Sequence, residues 1–318
     1  RVMKPGAHAV VFAGSRTSDV MGVALRLAGF EVRDSIGWTY YSGFPKSANI
    51  SAHIDRLQGE RGAGGGYTPN HKNGVYGHGM GGGRTVAPYK PATPDAAKWA
   101  GYGTALKPCI EPAWLARKPL SESSIARNVL RWGTGAINVD ACRFAPGDPI
   151  WIGPDGRGVW VDQQNPNNWR VRPGAGGTMG AGWAGTGGKR HPVGRWPANL
   201  VYFPKASTAE REAGCDGLPS CSGADITERQ TGSDGLSSPR AGVGRTSSAR
   251  RNIHPTVKPI GLMRWLCRLV GGQPGSLIID PYTGSGTTGI AATLERFEFE
   301  GCELNNSDGP PPQRFVDI

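Results

Sequence analysis

The segment Leu277-Ile-Ile-Asp280-Pro-Tyr-Thr-Gly-Ser-Gly-Thr-Thr-Gly-Ile-Ala-Ala restricts this chain's possible folds more than any other. A short apolar run, a glycine-rich turn and a helix-forming stretch follow one another without a break. Glycine lets backbone approach a ligand closely, and the unpaired N–H groups at a helix start can donate to it. The turn reads as a ligand cradle that is not of the phosphate-binding kind. It lacks the Lys-Ser/Thr ending of a P-loop, and it reads as distinct from the dinucleotide fingerprint. Asp280, an acid at the strand end, suits a ligand carrying an ammonium group better than a pyrophosphate. A second acid, Glu303, closes the next apolar stretch, where a ribose diol is commonly read.

The preceding segment, Asn252-Ile-His-Pro-Thr-Val-Lys-Pro-Ile-Gly-Leu-Met, opens another helix. Thr256 and Lys258 offer a hydroxyl and a cation at its start, a pairing suited to an anion, and Pro259 is pre-set for the first helical position. His254 is equally consistent with packing. Taken together, the two segments resemble the cofactor site of the β-type DNA amino-methyltransferases, which modify N4 of cytosine or N6 of adenine. Val2-Met-Lys-Pro-Gly-Ala-His-Ala-Val-Val-Phe, Leu25-Arg-Leu-Ala-Gly-Phe-Glu-Val-Arg, Ser42-Gly-Phe-Pro-Lys-Ser and Cys109-Ile-Glu-Pro-Ala-Trp are similar to segments of phage and bacterial members.

The resemblance implies a Rossmann-like α/β fold, with a mainly parallel sheet sandwiched by helices and long irregular insertions. It implies S-adenosylmethionine as cofactor, bound by Thr256, Lys258, Asp280, Pro281, Tyr282, Gly284, Ser285, Gly286, Thr287, Thr288 and Glu303. It also implies double-stranded DNA as partner, a possible cognate restriction endonuclease, and a cytoplasmic setting. The family's catalytic Asp/Ser/Asn-Pro-Pro-Tyr/Phe tetrapeptide is expected upstream of Val2 and is not found; the Pro-Pro run at 310–312 has other neighbours. The chain therefore reads as a fragment, inactive as it stands, with no catalytic residue to assign. A DNA- or cofactor-binding remnant and an RNA methyltransferase are the alternatives.

A net charge of +11 and a pI of about 9.6 suit a polyanionic partner and equally a generically basic, soluble protein. Arg16, Lys46, Arg117 and Lys118, at strand ends and loops, are candidate DNA-facing cations. Gly 50 and Pro 26 make up almost a quarter of 318 residues, a level that signals irregular segments around a folded core. The expected organisation is a catalytic-half segment over 1–58, a glycine-rich insertion over 59–105, a return to the core over 106–145, a target-recognition or flexible insertion over 146–251, and the cofactor half over 252–318. The tryptophans and arginines between Trp151 and Trp196 suit either base contact or anchoring of the loop. The six scattered cysteines form no C-x-x-C pair and read as free thiols. No stretch of eighteen apolar residues is present.

Overall fold

Strand β1 (His8–Phe12), helix α1 (Ser18–Leu27) and strand β2 (Glu31–Thr39) follow one another as the sequence predicts. Helix α1 stops where Gly29 adopts φ +85°. Gly29 N–H then donates to Arg26 and Phe30 N–H to Leu25, at 3.0 Å each, which satisfies the last carbonyls. Gly22 lets this helix lie close against Trp114: a Cβ there would stand 2.8 Å from that ring. These coordinates are a computed structural model, which describes residues 2–40, 47–64, 88–144, 196–217, 219–220, 251–252 and 256–303.

Two compact units emerge, one formed by 1–39 with 111–318 and the other by 40–110. In the first, β3 (Ile110–Arg117) and β4 (Leu200–Tyr202) complete a four-stranded sheet of order β1-β3-β2-β4. The expected parallel pairing holds for β2 with β4, but β3 runs antiparallel to β1, with Val10 opposite Leu115 and Val11 opposite Trp114. The reason lies in the intervening unit. Tyr40 N–H donates to the Cys109 carbonyl at 2.9 Å, so the chain returns where it left, and β3 must run back along the sheet.

Helix α4 (Ile125–Trp132) starts at Ser124, whose Oγ accepts from Arg127 N–H at 3.2 Å, and ends at left-handed Gly133. Helix α5 (Thr208–Glu212) carries a reciprocal capping box between Ser207 and Glu210. Helix α6 (Ile260–Val270) then leads to a second, parallel pair of strands, β5 (Leu277–Asp280) and β6 (Glu298–Gly301), joined by helix α7 (Thr287–Leu294).

Trp38, Val201, Leu262 and Trp265 are almost wholly withdrawn from water. A side chain the size of Leu262 gains about 1.5–3 kcal/mol from such burial. Cys267, Ala291, Ala292 and Phe297 form the core between α6, α7 and the β5–β6 pair, with Met263, Ile278 and Phe299 against it. Cys142 and Cys267 are protonated packing groups: burial above all pushes both thiols up to about 12. Among the described residues the cysteines are free thiols, and no helix is long and apolar enough to cross a membrane.

His8 gives this unit an acid-sensitive point. Burial, followed by the charges of Arg117 and Arg33, lowers its pKa from 6.5 to about 4. The unfolded chain therefore binds a proton that the fold refuses, and stability falls as pH drops from 6.5 towards 4. His8→Gln should lose less stability than the parent between pH 7 and pH 5. Equal losses in urea midpoint would contradict this.

The second unit contains α2 (Ile50–Leu57) and α3 (Pro94–Lys98). Its centre is Asp55, fully buried, a residue not singled out by the sequence reading. The carboxylate accepts from Tyr89 Oη at 2.7 Å, Ala92 N at 2.9 Å, Thr93 N at 2.9 Å and Thr93 Oγ1 at 2.7 Å. Tyr89 Oη in turn accepts from Gly62 N–H, and Ala63 pairs with Lys90. The flanks of the glycine-rich insertion are thus fastened to one carboxylate; its centre, 65–87, lies outside the described residues.

Candidate functional site

Strand β5 delivers Asp280 to the start of the glycine turn. Its Oδ1 accepts from Tyr282 N–H at 3.0 Å, and its Oδ2 from Thr288 Oγ1 at 2.6 Å. The backbone folds tightly between them: Thr283 Oγ1 donates to the Asp280 carbonyl at 2.9 Å, and Gly286 N–H to Thr283 at 3.0 Å. Gly284 at φ +55° and Gly286 at φ +75° occupy the left-handed region, where a side chain would be strained. Gly286 is the N-cap of α7. Ser285 and Thr287 are buried and share a hydroxyl contact of 3.1 Å.

Strand β6 brings the second acid to the same turn. Cys302 N–H donates to Asp280, and Thr283 N–H to Cys302, which continues the ladder past both strand ends. Glu303 Oε2 then accepts from Gly284 N–H at 2.6 Å. Two carboxylates therefore grip one turn at the start of a helix, whose N-terminal partial positive charge favours them there. Each oxygen retains lone pairs for a further donor, such as an ammonium or a pair of vicinal hydroxyls. Gly284, Gly286 and Gly289 do fall at the G-x-G-x-x-G spacing, so the reading of the turn as distinct from that fingerprint is corrected. What sets the turn apart is Asp280 ahead of it.

The cations follow the expectation less closely. Pro259 is the N-cap of α6 rather than its first residue. Lys258, expected to await an anion, already holds one: its Nζ lies 3.0 Å from Glu111 Oε2. The ammonium also sits 4.7 Å from the Phe12 ring centroid and 5.6 Å from that of Trp38. Lys205 approaches the other Glu111 oxygen at 3.8 Å. Thr256 is exposed just ahead of this group. Glu111, Phe12 and Trp38 were not singled out from the sequence; an acid opening an otherwise apolar strand was the available signal for Glu111.

Arg117 is not a DNA-facing cation. It is buried, and its Nε and Nη2 donate to Glu31 at 3.0 and 2.6 Å, which fastens β3 beside β2. Lys118 donates to the Met3 carbonyl, and Arg16 is exposed on the turn after β1. Lys46 lies outside the described residues, as does most of the 146–251 insertion. At the edges of the latter, the Arg143 guanidinium stands 5.1 Å over the Trp196 ring, and Phe144 stacks on Trp265.

Residues 161–308 match the family model described as DNA methylase, N6_N4_Mtase. Fifty residues are 48% identical to the type II methyltransferase M2.MboI of Moraxella bovis, covering 16% of this chain and 18% of that protein. Fifty-three residues are 40% identical to the DNA adenine methyltransferase YhdJ of Escherichia coli (strain K12), covering 17% and 18%. The chain thus spans under a fifth of the length of either relative by alignment. Among solved structures, the M1.HpyAVI–SAM complex aligns over 96% of this chain and 72% of that one, at 13% identity and a TM-score of 0.36.

Proposed function

We propose that this chain is the cofactor-binding body of an S-adenosylmethionine-dependent DNA amino-methyltransferase. The observation that supports it best is the convergence of Asp280 and Glu303 on the Gly284–Gly286 turn. The residues present fit the cofactor: Glu303 suits the ribose hydroxyls, Asp280 the turn and the ligand's ammonium, and the glycines close backbone approach. Pro281, Tyr282, Ser285, Thr287 and Thr288 complete the wall, with Thr256 and Lys258 facing the methionine carboxylate. The cofactor supplies an electrophilic methyl group on a sulfonium, to be passed to an exocyclic amine.

The acceptor in this reading is adenine N6, or cytosine N4, in double-stranded DNA. The +11 charge and exposed Arg16 support a polyanion. The setting we infer is cytoplasmic, in a phage or a restriction-modification system with a cognate endonuclease. Groups to hold the acceptor amine are not assigned: the 318 residues contain no Asp/Ser/Asn-Pro-Pro-Tyr/Phe segment. That observation favours a second reading, in which this chain alone binds cofactor and nucleic acid without transferring methyl groups. Labelled-methyl transfer assays on DNA and on RNA separate these readings from an RNA methyltransferase.

Calorimetric titration with S-adenosylhomocysteine tests the core of the proposal. The folded chain should bind it, and Asp280→Ala should weaken binding at least about tenfold, because the turn loses the acceptor for Tyr282 N–H and Thr288. A folded protein that ignores the ligand sinks the reading.

A further inference from the structure

Three features of the first unit lie where its strands end. Helix α7 starts at the ends of β5 and β6, and α6, packed beside α7 and β1, starts directly after Lys258. Lys258 itself lies over Phe12, the last residue of β1, and Trp38, near the end of β2. Glu111 belongs to antiparallel β3 and so reaches this same rim from the strand's beginning. The Lys258–Glu111 pair is therefore set at the carboxyl ends of the strands, where ligands bind in open α/β sheets. Both side chains are mostly shielded, at 21% and 28% exposure, so their attraction is only partly screened by water.

We propose that Glu111 is a resident substitute for a ligand carboxylate: it holds Lys258 until an amino-acid carboxylate arrives and displaces it. This rests on the reading that Lys258 meets the methionine carboxylate of the cofactor. Glu111 already occupies one donor of the ammonium and neutralises its charge, so a ligand carboxylate must compete with it. Apparent affinity is then lowered by the fraction of molecules in which Lys258 is engaged, and weakening the pair restores it. The pair acts only on ligands that bear the carboxylate. Displacement also leaves Glu111 to Lys205, 3.8 Å from its other oxygen, so the carboxylate is not stranded.

The test compares S-adenosylhomocysteine with 5′-methylthioadenosine, which keeps the nucleoside and sulfur but lacks the amino-acid end. Titrations use the full chain, Glu111→Gln and Lys258→Met, each checked for a native unfolding transition. Glu111→Gln should tighten S-adenosylhomocysteine about three- to tenfold and leave 5′-methylthioadenosine unchanged. Lys258→Met should weaken the former alone. If Lys258→Met changes neither ligand, the underlying reading of Lys258 fails, and the proposal with it. If Lys258→Met weakens S-adenosylhomocysteine but Glu111→Gln leaves it unchanged or weaker, Glu111 is not a competitor. Glu111→Ala serves in place of the glutamine variant should that variant unfold, with the same two outcomes.

Discussion

Asn128→Ala should lower the stability of the first unit by about 3 kcal/mol, read as a shift in urea midpoint. The side chain is fully buried on α4, and both its amide nitrogen and its oxygen are hydrogen-bonded. Its Nδ2 donates to the Pro5 carbonyl at 3.0 Å and the Thr134 carbonyl at 2.8 Å, and its Oδ1 accepts from Ser121 N–H at 3.2 Å. One amide thus ties the loop entering β1 to both ends of α4. Alanine leaves Ser121 N–H and the Thr134 carbonyl without this partner, leaves the Pro5 carbonyl to Thr134 Oγ1, and opens a void, and these losses add. There is no slack nearby: a Cβ on Gly6 would stand 2.4 Å from Nδ2. Asn128→Asp keeps the acceptor for Ser121 but turns two donor contacts into oxygen–oxygen repulsions, so it should do no better than alanine. A midpoint within error of the parent's would remove Asn128 from this role.

Asp55→Asn should loosen the second unit in the same all-or-none way. Four donors converge on the carboxylate, and an amide presents only one acceptor oxygen to them. Burial pushes the Asp55 carboxyl up, but hydrogen bonds from Ala92, Thr93 and Tyr89 outweigh it and bring it down to about 2 from 3.8. The sign follows directly. This stabilisation is fully present above pH 3.8 and is lost as pH falls towards 2. In the variant, exchange of the Ala92 and Thr93 amide protons should quicken at least about tenfold at neutral pH. Parent-like protection would show that the unit does not depend on the carboxylate.

Much of the fold was legible because its signals are local. The apolar run at Leu277–Ile279, the left-handed glycines and Ser124 before α4 each act within a few residues, and their elements sit where expected. The direction of β3 was not legible, since it follows from the hydrogen bond between Tyr40 and Cys109. The same holds for charges. Lysine and arginine at strand ends read as surface cations, yet Arg117 is satisfied by Glu31 across 86 residues, and Lys258 by Glu111 across 147. Asp55 was invisible for the related reason that its donors lie 34–38 residues downstream. In the cradle the expected acids and glycines do come together, because strands β5 and β6 are neighbours in a parallel pair and end at one level.

The Tyr40–Cys109 contact carries one more consequence. A chain excursion that departs and rejoins within a single hydrogen bond works as a socket. Its contents can be lengthened, shortened or exchanged for another module while β2 and β3 keep their places. Diversity in whatever that module touches can then accumulate without re-engineering the strands that hold the rim.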